Sequence, residues 1–311
     1  MTRQILQRCI LFATTLLLLG SAAQATISHT WVSSTGSDTN ACTRSAPCAT
    51  FAGALAKTSA GGEIDVVDSG DYGPVTISQA VSIEAAGVLA TIQVSSGNGI
   101  TVTAGLNDVV VLRGLTLDGQ GAANDGINFS TGASLYVENC RIQRFSNAGI
   151  DFLPNGVSKL FVTDTITRNN GASCGVYIQV LLGGFATVSI DGLRTENNAC
   201  GVKTVDTSNV TIRNSVAANN KFAGFSIVQI GGVPQVLIES SITTHNGTYG
   251  VLCISNPPGF PFPVVRLSNV TVSDNQIGLG ALNSGVIISF GNNKVDGNGT
   301  NGSPTSTIPP V

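Results

Sequence analysis

Charge is scarce in this chain. Lys, Arg, Asp and Glu make up 11% of its 311 residues, where an average globular domain carries about 25%. The basic residues gather into no stripe, so the sequence offers no footprint for nucleic acid. Beyond residue 25 no apolar run is long enough to span a bilayer. No CxxC pair and no Cys/His spacing marks a zinc site. The one short apolar run, 10–19, follows Arg3 and Arg8 and precedes Ala23-Gln24-Ala25. That order reads as a signal peptide over residues 1–25, cut before Thr26. No cysteine follows the small-x-small site, which argues against a lipid anchor. The expectation is a secreted monomer with one elongated domain. Losing Arg3 and Arg8 takes its net charge from −3 to −5.

Gly, Asn, Ser, Thr, Val and Ile carry the sequence instead, a mixture that favours strands and turns. A Gly followed by an apolar residue recurs at Gly99, Gly126, Gly149, Gly175, Gly201, Gly224, Gly250 and Gly278, at intervals of 23 to 28 residues. A period in this range signals a solenoid. After each Gly, positions +1 (Ile127, Ile150, Val176, Val202) and +3 (Phe129, Phe152, Ile178) are apolar. Position +2 between them reads Thr101, Asn128, Asp151, Tyr177, Lys203, Ser226. Period-two alternation is a half-buried strand. Each coil is therefore a rung of short strands, stacked at about 4.8 Å, and like positions become columns. A second column, Gly114, Asn139, Asp164, Gly192, Asn214, Ser240, Asn269 and Asn292, marks turns, as does the Gly column, where left-handed backbone is tolerated. A third, Asn170, Asn198, Asn220, Asn246, Asn275 and Asn298, places amides where they stack and hydrogen-bond along the axis.

Cysteine placement follows from the same register. Cys174 and Cys200 each sit just before their Gly, one rung apart, which is about 5 Å and within disulfide range. They are expected to staple two rungs, and Cys42 to pair with Cys48. Cys140 and Cys253 lie about five rungs apart and are expected as buried free thiols. The open end of a solenoid needs covering. Residues 26–60 are assigned to an N-terminal cap, with an amphipathic helix over 50–57. Residues 61–299 form about eight to nine rungs, and the polar 300–311 a flexible tail.

The opening also carries a resemblance. "WVSSTGSDTN", "APCATFAGALA" and "GGEIDVVDSGDYG" resemble the start of secreted parallel β-helix proteins of the pectate-lyase-like superfamily. The rungs are similar to that group over most of residues 30–300. The resemblance, with the general bias of parallel crossovers, implies an all-β, single-domain right-handed parallel β-helix. It implies no one reaction, because the group includes lyases, hydrolases and proteins without catalysis.

The candidate site is the outward row of the Gly-led strands. Stacking turns Asn128, Asp151, Tyr177 and Lys203 into a line, with Asp125 at its edge. Lyases of the superfamily hold calcium on carboxylates and use a Lys or Arg base. By that likeness Lys203 and Asp151 are the catalytic candidates, and Asp125 and Asp151 the Ca2+ ligands. Asn128 and Tyr177 would contact an extracellular polysaccharide. Loops 153–159, 180–186, 228–234 and 254–263 gather at one corner, where the last adds Phe260 and Phe262 as substrate contacts. The hydrolase pattern fits less well: the chain has no Asp-Asp pair, and its histidines, His29 and His245, lie in no Gly-His-Gly segment. A non-catalytic matrix scaffold or adhesin is the alternative. Asp65, Asp68 and Asp71 read as turn formers, with a calcium turn as the other option. The row Arg113, Glu138, Asp191, Arg213, Glu239 reads as a solvated charge ladder. Val111, Tyr136 and Phe161 form an apolar stripe expected to pack under a terminal segment.

Overall fold

A computed structural model describes residues 27–180, 183–258 and 262–309. The expected signal peptide and Phe260 lie outside these. Among the described residues no helix is long and apolar enough to cross a membrane.

The chain winds as a parallel β-solenoid of about eight turns. Each turn gives one strand to each of three parallel sheets, of twelve, nine and ten strands. One turn runs through Ile150–Phe152, Val157–Thr163 and Ile166–Arg168 before the next opens at Cys174–Gln179. The Gly-led strands form the nine-stranded sheet in the register the alternation predicts. Ile127 pairs with Ile150, Ile150 with Val176 and Val176 with Val202. The first three are fully buried and Val202 is nearly so, as are Phe129, Phe152 and Ile178 behind them. The core is thus a set of stacked apolar columns inside the three sheets.

Two kinds of corner need different residues. The second column does adopt left-handed backbone: φ is 56° at Asn139, 46° at Asp164 and 52° at Asn269. The Gly column does not, contrary to the sequence-based expectation. Its glycines are required by close approach instead. A Cβ on Gly201 would lie 2.4 Å from the Gly224 carbonyl oxygen of the next rung, and one on Gly126 2.4 Å from that of Gly149. At the third corner the asparagine ladder forms. The Nδ2 of Asn170, Asn220, Asn246 and Asn275 each donates to the Oδ1 of the next asparagine at 2.9–3.0 Å, and Asn198 to Asn220 at 3.3 Å.

At the N-terminal end Ile27–Val32 pairs with Thr58–Val66 and extends the twelve-stranded sheet. The helix is shorter than 50–57: it spans Phe51–Leu55, with the Thr50 side chain capping Gly53 N–H and with Phe51 and Ala54 buried. The Cys42–Cys48 and Cys174–Cys200 disulfides are both present, and Cys140 and Cys253 are buried thiols. The closing segment, expected as a loose tail, places Ser306–Thr307 in parallel pairing with Ile288–Ser289. The reason is that the last rung still has an unpaired sheet edge for it to cover.

Candidate functional site

The outward row of the nine-stranded sheet is continuous. Thr101, Asn128, Asp151, Tyr177, Lys203, Ser226 and Leu252 are successive cross-strand neighbours. The sequence-predicted residues are therefore brought together, but they do not share one environment.

The two carboxylates are sealed. Asp125 is 1% exposed. Its Oδ1 accepts from Asn147 Nδ2 at 2.7 Å and Ala148 N–H at 3.0 Å, and its Oδ2 from Asn124 at 2.7 Å and Asn128 at 3.4 Å. Asp151 is buried, and its Oδ2 accepts from Asn128 Nδ2 at 3.2 Å. Its Oδ1 is buried with no hydrogen-bond partner. Burial first, and the Asp125 charge second, push the Asp151 carboxyl up to about 7, against the pull of the Asn128 hydrogen bond. An outward strand position is thus not an open one when neighbours stack over it at about 4.8 Å.

This pair does not fit calcium. The ion takes about six to eight oxygen ligands, whereas both Asp125 oxygens are saturated by donors and Asp151 Oδ1 is closed off. The expected metal role of Asp125 and Asp151 is corrected on that ground. Neither is an accessible proton-transfer group in this arrangement. Among the described residues one group of three His, Cys, Asp or Glu side chains brings its ligand atoms within 4.8 Å of one another: His29, Glu63 and Asp65. There His29 Nε2 sits 2.8 Å from Asp65 Oδ2.

The other half of the row is mixed, with Ser226 and Leu252 buried at 2% and 4% exposed. Tyr177 and Lys203 are half-buried. The Tyr177 hydroxyl donates to Gln179 Oε1 at 2.8 Å. Burial, then the charges of Asp151 and Asp206, raise its pKa. Lys203 Nζ lies over the Tyr177 ring, 5.5 Å from its centroid. Burial lowers the Lys203 pKa from 10.5, the direction a base requires. Beside Lys203 a cavity of about 220 Å³ is lined by Ala172, Ser173, Ala199, Phe222 and the Cys174–Cys200 disulfide. Phe222 is 43% exposed, and Tyr249 meets its ring edge-on at 5.7 Å. Sequence reasoning missed both. Phe222 sits in a turn, where alternation assigns no face. The only signal was its place just before a Gly-led strand.

The corner loops flank this half. Asp206 Oδ1 accepts from Ile230, Gly231 and Gly232 N–H at 2.7, 2.7 and 3.0 Å, tying loop 228–234 to the end of the Lys203 strand. Phe262 is 39% exposed and is not part of the Lys203 cavity wall.

The remaining candidates are structural. Arg113 bridges Glu84 at 2.7 Å and Glu138 at 2.8 Å on the exposed face of the twelve-stranded sheet, and Arg213 meets Glu239 at 3.1 Å. Asp68 accepts from Ser34 N–H, Ser33 Oγ and the Tyr72 hydroxyl, which lower its pKa, so it anchors a turn. Tyr136 and Phe161 stack at 4.5 Å and are partly exposed.

Comparison with known proteins agrees with this architecture. A family model described as "Right handed beta helix region" matches residues 91–262. Two solved structures are similar. A pectate lyase Pel9A crystal structure has 18% identity and a TM-score of 0.67, over 86% of this chain and 75% of that one. A rhamnogalacturonan lyase has 15% identity and a TM-score of 0.63, over 84% and 75%. No curated protein matches. At such identities the likeness shows the fold, and with it the right-handed coil.

Proposed function

The chain belongs to the family of proteins with a right-handed beta helix region, and we propose that it is an exported protein that binds and cleaves an acidic polysaccharide by elimination. The observation that carries this reading is Lys203: a half-buried lysine in the outward row, with its pKa lowered by that burial and its head over an aromatic ring. The two solved neighbours are named as lyases of pectate and of rhamnogalacturonan. Two disulfides suit an oxidising compartment, periplasm or medium.

The chemistry follows from the amine. Neutral Lys203 takes the proton from the carbon beside a uronate carboxylate. The adjacent C–O bond breaks, its electron pair leaves on the oxygen, and a C=C bond forms in the new chain end. Water returns a proton to the leaving oxygen. Asp125 and Asp151 act from beneath the strip by holding the Asn128 amide, which offers a fixed polar contact to sugar hydroxyls.

The test is ultraviolet absorbance of unsaturated uronate during incubation of residues 26–311 with acidic and neutral polysaccharides. The reading requires a rise with at least one acidic glycan that Lys203→Ala abolishes while its fold persists. Sealed carboxylates on the strip favour a second reading, a matrix scaffold that binds glycan without turnover. Silence across the panel would favour that one, and glycan binding without turnover would be its own test.

A further inference from the structure

The site just proposed needs a place for the sugar next to Lys203, and the structure holds one that the sequence did not point to. We propose that the cavity between Lys203 and Phe222, with the Cys174–Cys200 disulfide in its wall, is a subsite for a single pyranose ring of the acidic glycan, with the sugar's apolar face on Phe222. This rests on the reading of Lys203 as the base.

Size sets the occupant. The cavity is about 220 Å³, below the roughly 300–1,000 Å³ of pockets that enclose drug-sized ligands. One six-membered ring is the matching scale, and an enclosed disaccharide is not. The wall chemistry matches both faces of a sugar. Phe222, a residue 43% exposed, lines the cavity, and C–H groups on one face of a pyranose pack on an aromatic ring. Ser173 and Lys203 supply polar groups for its hydroxyl or carboxylate edge. Ala172 and Ala199 keep the space open because their side chains end at Cβ.

The walls are also fixed. Cys174 and Cys200 are bonded across adjacent rungs, with Cα atoms 4.4 Å apart. Phe222 N–H donates to the Ala199 carbonyl at 2.8 Å, and its ring is braced edge-on by Tyr249. A subsite built from a bonded strand pair and a braced ring loses little freedom when a ligand enters.

The test is calorimetric binding of uronate oligomers of graded length at pH 5, a low pH chosen to slow turnover by a basic amine. The chains compared are wild type, Phe222→Ala, Phe222→Tyr and Phe222→Leu. Loss of the ring face should weaken binding about tenfold in the Ala and Leu variants, while Tyr stays within about twofold. The Leu variant keeps apolar packing on Tyr249, so it answers the question if the Ala variant unfolds. Unchanged affinity in Phe222→Leu overturns the subsite, as does a wild-type chain that binds no oligomer. Binding that depends on Phe222 in a chain without turnover supports the subsite and overturns the elimination reading alone.

Discussion

Lys203 and Tyr177 are direct cross-strand neighbours, and Lys203 Nζ lies 5.5 Å from the centroid of the Tyr177 ring. The ring attracts the charged head, while burial pulls its pKa down from 10.5. A base of this kind works only when neutral. Elimination should therefore speed up as pH rises, with a midpoint below 10.5, the ordinary value. Lys203→Arg keeps the charge but cannot deprotonate. It should cost about 10²-fold or more in kcat and leave oligomer affinity within a few-fold. A pH–rate profile of the two chains checks this, and an Arg variant with wild-type kcat removes Lys203 as the base.

Asp151 gives stability a pH dependence of definite sign. Its folded pKa is raised to about 7 from 3.8, so between these values the folded chain binds the proton that the unfolded chain has lost. Its contribution is full below about 3.8 and is lost as pH rises through about 7. A tenfold difference in proton affinity between the two states is worth about 1.4 kcal/mol, so the loss is a few kcal/mol. Asp151→Asn, always neutral, should flatten this slope and be more stable than wild type by roughly 1–3 kcal/mol at pH 8. Urea unfolding across the pH range measures it. Parallel curves for the two chains would show that Asp151 ionises as freely when folded as when unfolded.

Asp125 should behave as a brace and not as a metal ligand. Four donors from Asn124, Asn128, Asn147 and the Ala148 backbone converge on it. Asp125→Ala strands the buried Ala148 N–H and frees three amides that solvent partly reaches, and should cost about 1–3 kcal/mol. Chelator should shift the unfolding midpoints of variant and wild type equally. A calcium-induced rise in wild-type stability that the variant loses would restore the metal role.

The rung period, the registers and the inter-rung cysteine pair were legible because stacking converts a sequence interval into a spatial column. Gly201 was legible as a position but not in its cause: the residue type does not tell left-handed backbone from a neighbour 2.4 Å away. Asp151 and Lys203 fall in the same outward row, yet one is buried and the other only half-buried. Alternation reports which face a side chain leaves from, and cover by stacked neighbours is a property of the assembled sheet. Phe222 was hidden for a related reason. Turns have no period, so a turn residue becomes part of a site only once the chain is wound.

The asparagine ladder should be the most cooperative element of the coil. Asn220 Oδ1 accepts from both the backbone N–H and the Nδ2 of Asn198, at 3.1 and 3.3 Å. Its own Nδ2 donates to the Thr195 carbonyl and to Asn246 Oδ1 at 3.3 and 2.9 Å. The residue is 1% exposed, so water cannot replace these partners. Asn220→Ala breaks the chain of amides at its middle and leaves the Asn198 donors unsatisfied, at a cost of about 2–4 kcal/mol. Asn298 lies at the partly exposed end of the ladder. Its Ala variant should cost about 1 kcal/mol or less, because solvent reaches the freed groups. Urea denaturation of the two variants side by side separates a cooperative ladder from independent pairs. Equal costs at the two positions would mean that neither burial nor a central place in the ladder sets the energy.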